Sequence, residues 1–364
     1  MRIAALLVTA VCLPAAAQLP VEAFFKPSAI ESASISPSGR HIALVAANKE
    51  GHHQLVTMDT QTLTPRSVAS LREANVTNVH WVNDRRLVFQ IVDTTRKWTE
   101  FTFPVAMYAV DHDGENYKYL VRFPEDHTPD APVQDARMRF RAVAGGDEIF
   151  VSRWFGESGK VEYVGSWRLD TRNGRLHAAE ANPTDAAPKP TDAELQKVQA
   201  RIDATLPATT NRIDAPLSPQ APMLLVFAFS DRDPGRFYLY DRAKDKLVTI
   251  GRRRPDMDPE KMARREFVNP FWVTTPADGK QGARPAVILV GTRSVVREWD
   301  APTQWLASRG YAVVEAPAGR EEAARWAIAK AIADPDRIVD VTLPAADADV
   351  DPLQFWTRVE RTLK

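Results

Sequence analysis

Through the first two-thirds of the chain, apolar positions alternate with polar ones or run continuously over short stretches. This is the period of β-strands rather than of helices. Four segments end alike, with an apolar run, an Asp and then a polar turn: Leu55-Val56-Thr57-Met58-Asp59, Ala106-Met107-Tyr108-Ala109-Val110-Asp111, Ser166-Trp167-Arg168-Leu169-Asp170 and Phe237-Tyr238-Leu239-Tyr240-Asp241. The residues that follow are rich in Asn, Asp and Gly, which tolerate the positive φ of tight hairpin turns. About 20 to 30 residues before each Asp stands an earlier strand, at 36–45, 81–90, 145–151 and 223–228. Four strands per unit, repeating at intervals of roughly 50 residues, predict β-propeller blades, with a β-sandwich as the alternative. Each recurring Asp is expected to accept hydrogen bonds from its own turn, a structural use.

Between the third and fourth units the pattern breaks. Ala181-Asn182-Pro183-Thr184-Asp185-Ala186-Ala187-Pro188-Lys189-Pro190 supports neither strand nor helix and reads as a linker. Thr191 with Glu194 forms a capping box ahead of a helix whose Leu195, Val198, Ile202 and Leu206 share one face, closed by Pro207. That helix is expected on the propeller rim.

From about residue 270 the period changes. Strands are predicted at 286–290, 311–315 and 338–343. Helices are predicted at 302–309, ending at Gly310, at 321–333, stopping at Asp334-Pro335, and at 353–363. Three alternations of strand and helix predict a small α/β unit with a parallel sheet.

The start of the chain has a separate meaning. Met1-Arg2 is a short basic start, residues 3–13 are almost wholly apolar, and Ala15-Ala16-Ala17 precede Gln18. This is the pattern of a secretory signal cleaved after Ala17, so a periplasmic or secreted location is expected. The run is too short to span a bilayer, no other stretch approaches about 20 apolar residues, and no membrane insertion is expected. Cys12, the only cysteine, lies inside the signal, and Val11 before it is too large for a lipoprotein signal. The mature chain would then carry no thiol, which removes disulfides, thiolate catalysis and Cys-based metal sites. Lys plus Arg and Asp plus Glu are equal at 47 each, so no net field recruits nucleic acid. Arg252-Arg253-Arg254 reads as a solvated turn.

Several segments together resemble the prolyl oligopeptidase family of serine peptidases, with its acylaminoacyl-peptidase and dipeptidyl-peptidase branches. Residues 230–241, Ser-Asp-Arg-Asp-Pro-Gly-Arg-Phe-Tyr-Leu-Tyr-Asp, resemble the family's last blade. Residues 304–313 resemble its second hydrolase helix and strand, 332–338 the turn and strand that lead to the nucleophile, and 355–360 its terminal helix. The resemblance implies an abbreviated β-propeller-like domain followed by a truncated α/β-hydrolase-like parallel sheet with flanking helices. It divides the chain into a signal peptide (1–17), propeller-like blades (18–180), a linker and amphipathic helix (181–212), a last blade and crossover (213–268) and the α/β-hydrolase-like domain (269–364).

The chemistry that the resemblance implies is missing from the sequence. An α/β-hydrolase places its nucleophile on a G-x-S-x-G elbow, followed in order by an acid and a His. No G-x-S-x-G occurs in the 364 residues, and the seven histidines stand at 41, 52, 53, 80, 112, 127 and 177, all before the α/β region. After the strand ending at Val341 the chain reads Thr342-Leu343-Pro344-Ala345-Ala346 and runs through Asp347, Asp349 and Asp351 towards the last helix. The family's oxyanion loop corresponds to Gly291-Thr292-Arg293-Ser294, where a single glycine survives. Ser294 is the one weak candidate nucleophile, and Ser308, at a helix end, reads as structural. Side chains of the neighbouring His52 and His53 point to opposite faces of a strand, so with Asp59 they make a poor metal site. The three alternating aspartates lack the glycine and closing Glu of a calcium loop. No metal or cofactor is expected. Trp154 and Phe155 are expected in the core by default, with the lining of a peptide-binding mouth as the alternative. Three readings stay open: a non-catalytic homologue that binds a peptide or protein, an active serine hydrolase with a non-standard site, and a degraded remnant. Intact-mass analysis of the exported protein should place its first residue at Gln18, and a retained residue 1–17 segment would overturn the signal reading.

Overall fold

A computed structural model of the chain describes residues 18–94, 106–122, 141–142, 146–157, 160–178, 193–216, 218, 220–291, 297–316, 319–344 and 350–363. The predicted signal, the 181–190 linker and Thr191 of the capping box lie outside the described residues.

Four four-stranded antiparallel sheets make up the first part. The first holds β1 (Ile30–Ile35), β2 (His41–Ala47), β3 (His53–Asp59) and β4 (Pro65–Ala69). The second holds β5 (Ala74–Trp81), β6 (Arg86–Asp93), β7 (Ala106–Asp111) and β8 (Lys118–Arg122). The third holds β9 (Arg141–Ala142), β10 (Glu148–Glu157), β11 (Lys160–Asp170) and β12 (Leu176–Ala178), and the fourth β13 (Thr210–Asp214), β14 (Met223–Phe229), β15 (Arg236–Asp241) and β16 (Lys246–Arg252). Within each sheet every strand bonds to its neighbour in sequence.

Each recurring aspartate ends the third strand of its sheet. Asp59 Oδ1 accepts the Gln61 and Thr62 N–H groups at 2.9 and 2.8 Å. Asp170 accepts the Arg172 N–H at 2.8 Å, and Asp241 those of Ala243 and Lys244 at 3.0 Å. Asp111 departs from the pattern. Its carboxylate meets the buried Arg86 at 2.8 Å and accepts from Asn116 Nδ2 at 2.8 Å, because a buried guanidinium requires a counter-charge. Arg86 also donates to Thr171 Oγ1 at 3.0 Å and so ties the second sheet to the third.

The continuous apolar strands are buried on both faces, since successive side chains point to opposite sides. On β2, Ala43 and Val45 pack against Leu87, Phe89 and Ile91 of the second sheet, while Ile42 and Leu44 pack against Leu225 and Leu239 of the fourth. Val88 of β6 packs the other way, against Ile149, Val151 and Leu169 of the third sheet. The sheets therefore stack in the order fourth, first, second, third. Among the described residues no core cluster joins the third sheet to the fourth.

Helix α2 (Ala193–Thr205) occupies the free face of the fourth sheet. Leu195, Val198, Ile202 and Leu206, the stripe read from the sequence, pack with Leu224, Val226 and Tyr240. The expected position on a rim is thus corrected. The second face of β14 is apolar and has no sheet against it among the described residues, so the helix covers it instead.

The last part is one five-stranded sheet in the order β17 (Arg264–Val268), β18 (Phe271–Thr275), β20 (Ala312–Ala316), β19 (Arg284–Val290) and β21 (Ala333–Thr342). It is mixed rather than wholly parallel. β20, β19 and β21 are parallel neighbours, but β17 and β18 are joined only by residues 269–270, and so short a connection permits only antiparallel pairing. Helix α3 (Ala301–Ser308) and helix α5 (Pro352–Leu363) cover one face with the N-terminal α1 (Val21–Phe25), burying Phe24, Trp305 and Trp356 against Val287, Leu289 and Val313. Helix α4 (Arg320–Ala329) covers the other face through Ala323 and Ala327. It ends earlier than the sequence suggests. Ile332 N–H bonds to Ala327 O and Ala331 N–H to Ile328 O, with Ala331 at φ 54°. This is a Schellman ending in which an alanine takes the usual glycine's place, so no local signal announces it. Among the described residues no helix is long and apolar enough to cross a membrane.

Two outcomes follow from this packing. Ile202→Ala should cost about 2–5 kcal/mol in urea unfolding, because the fourth sheet would lose its cover. Between the first two sheets His41 stacks on His112 with ring centroids 4.0 Å apart. Burial, and then His112, hold the His41 imidazole below its ordinary value of 6.5, while Asp59 and Asp84 pull the other way. The unfolded chain therefore takes up this proton first. The melting temperature should fall as pH drops below 6.5, and His41→Gln should flatten part of that slope.

Candidate functional site at the sheet junction

In open α/β sheets ligands bind outside the carboxyl ends of the strands, where the strand order reverses. Here that place is the end of β19, flanked by β20 and β21. Leu343 N–H bonds to Val290 O at 2.9 Å and Gly291 N–H to Ala316 O at 3.4 Å, which brings the three strand ends together. Gly291 has φ 143°, and a Cβ there would stand 3.1 Å from Leu343 Cβ, so a glycine fits both the backbone and the close approach. The other residues of the candidate oxyanion loop, Thr292, Arg293 and Ser294, lie outside the described residues, as do Asp347 and Asp349. Ser308 Oγ donates to Trp305 O at 2.6 Å and accepts from Arg309, a structural use at the end of α3. The backbones of Trp154 and Phe155 lie in β10.

The described chemistry gathers beside these strand ends, where the fourth sheet meets the five-stranded sheet. Arg265 on β17 and Glu315 on β20 form a bidentate pair at 2.7 and 3.0 Å, both almost wholly buried. The Arg265 guanidinium also lies 4.7 Å over the Trp272 ring. Its backbone N–H donates to Asp231 Oδ2 at 2.8 Å, and Asp231 belongs to the turn between β14 and β15. Gln304 of α3 closes the joint: its Oε1 accepts from Ala263 N–H at 2.8 Å, and its Nε2 donates to Ala263 O and Asp231 O at 2.7 and 2.8 Å. Four elements, the 230–235 turn, β17, α3 and β20, are thus locked together by buried polar groups.

A cleft of about 680 Å³ opens beside this lock. Its lining includes the end of α2 and residues 206–210, together with Asp231, Arg232, Asp233, Arg236, Glu260, Arg264 and Arg297. Asp233 Oδ2 holds Arg236 Nε at 2.7 Å, and Asp231 Oδ1 lies 3.3 Å from Arg297 Nε.

Sequence reasoning read 230–241 as a packing motif and did not single out Asp231, Arg264, Arg265, Arg297, Gln304 or Glu315. The available signal was Glu315 itself, a carboxylate closing an otherwise apolar buried strand, which requires a buried cation.

No protein-family profile matches the chain, and no curated protein matches it. Solved structures do. An acylaminoacyl peptidase in complex with Z-Gly-Gly-Phe-chloromethyl ketone aligns at TM-score 0.39 and 13% identity, over 86% of this chain and 66% of that one. Acylaminoacyl peptidase from Pyrococcus horikoshii aligns at 0.36 and 13%, with the same shares. AtxE2 isopeptidase aligns at 0.35 and 11%, over 86% of this chain and 61% of that one. The chain spans less than two-thirds of the length of these proteins.

Arg265→Ala would strand Glu315 as a buried lone charge and should cost about 3–5 kcal/mol in chemical unfolding. The double variant Arg265→Met with Glu315→Leu should recover most of that loss, and equal destabilisation of the single and double variants would contradict the lock.

Proposed function

We propose that this chain is an exported homologue of the prolyl oligopeptidase family that does not hydrolyse peptides and instead binds a peptide or protein ligand in the junction cleft. The observation that carries the reading is what the sequence holds after β21. Nine residues, 343–351, separate β21 from α5, and within the 364 residues neither a G-x-S-x-G elbow nor any histidine after His177 is present. A serine hydrolase needs a base within about 3 Å of its hydroxyl, and the sequence offers Ser294 no histidine in the α/β part. The four-stranded antiparallel sheets and the α/β/α layering are consistent with a propeller joined to an α/β-hydrolase sheet. A fold alone assigns no activity, so the functional weight falls on the site. Binding is supported by the cleft, which is lined with charged side chains whose orientations are fixed by buried partners.

The test is fluorophosphonate labelling of the purified protein together with a panel of chromogenic acyl-peptides and dipeptides. Neither labelling nor turnover is expected. Stoichiometric labelling at Ser294, or turnover abolished by Ser294→Ala, would overturn the proposal.

A further inference from the structure

The arginines of the cleft are not equivalent. Arg232 spends its Nε on Met262 O at 3.0 Å and its Nη2 on Glu260 O at 2.9 Å, so it serves as a backbone brace. Arg236 is oriented by Asp233 at 2.7 Å and Arg297 by Asp231 at 3.3 Å, each through its Nε. Asp231 and Asp233 are themselves fixed, because they accept the Arg265 N–H at 2.8 Å and the Gly235 N–H at 3.0 Å. Arg264 alternates with the inward-facing Arg265 on β17, lines the cleft, and has no carboxylate partner among the described residues. The cleft lining therefore holds four arginines and three carboxylates, a surplus of one positive charge centred on Arg264.

We propose that the cleft is a carboxylate-binding site in which Arg264 takes the ligand's charge and Arg236 and Arg297 flank it. The planar fork of a guanidinium matches a carboxylate in two parallel hydrogen bonds, and neighbours already held in place lose little freedom when the ligand arrives. A surplus of one charge suits a monoanion better than a phosphate dianion. The lining also includes the carboxyl end of α2, where the helix dipole is negative and disfavours a second anionic group but accepts hydrogen bonds from N–H donors. Arginines and a helix carboxyl end in one cleft suit the last residues of a peptide. The terminal carboxylate would meet Arg264 and the preceding amides would face α2. This choice of a peptide end as the source of the carboxylate rests on the binding function proposed above.

The test compares N-terminally fluorescein-labelled Ala-Ala-Ala, as free acid and as C-terminal amide, by fluorescence polarisation on the full chain. A parallel arm measures whether propionate, a monocarboxylate, raises the melting temperature above chloride at equal ionic strength. The variant is Arg264→Gln, whose side chain is exposed and makes no structural ion pair, with the exposed Arg325→Gln as control. The free acid should bind about tenfold or more tighter than the amide, with Arg264→Gln removing that preference and Arg325→Gln keeping it. Equal binding of acid and amide would overturn the carboxylate site and leave peptide binding standing. Propionate stabilisation lost in Arg264→Gln, without peptide binding, would keep the site and overturn the peptide source. No response to any of the three ligands would overturn the inference outright.

Discussion

The bidentate pair between Arg265 and Glu315 is the constraint on which the junction depends. Two charges removed from water are stable only when each satisfies the other and their remaining donors and acceptors are also met. Arg265 meets Glu315 with its guanidinium and Asp231 with its backbone, and Gln304 binds the Asp231 carbonyl from α3. The edge strand β17, the central strand β20, the first crossover helix and the 230–235 turn of the fourth sheet are therefore fixed together. The cleft has stiff walls because its buried aspartates are held from behind.

The rest of the architecture follows from strands that are apolar on both faces. Ile42 and Leu44 look one way and Ala43 and Val45 the other, so the first sheet needs a neighbour on each side. The same logic passes through Val88 and Phe89 to the third sheet and through Leu225 and Leu224 to the fourth. At the fourth sheet a helix replaces a sheet as the cover. That substitution places the end of α2 at the cleft, so a packing solution also supplies a wall of the site.

Much of the fold was legible in the sequence. The Asp-terminated strands at 59, 111, 170 and 241 marked the third strand of each four-stranded sheet, and the stripe of Leu195, Val198, Ile202 and Leu206 marked a helix with one buried face. The end of α4 was not legible, because Ala331 adopts the left-handed turn without a glycine to signal it. Nor was the cover role of α2, since periodicity reports that a face is buried and not what buries it. The site was the least legible part. Asp231, Arg265, Gln304 and Glu315 are spread over four elements, and only their juxtaposition in space gives them a role. Gly291 was found because it stands in a recognisable loop position, and the close approach of Leu343 supplies its physical reason.

A chain with this junction and no recognisable triad should hold a peptide and release it unchanged. Hydrogen-exchange mass spectrometry of the full chain with unlabelled Ala-Ala-Ala, analysing protein and peptide in the same run, tests that most directly. The account predicts protection at 205–210, 230–236 and 259–264, with the peptide recovered at its original mass. Protection confined to the ends of β19, β20 and β21, or a peptide recovered in pieces, would contradict it.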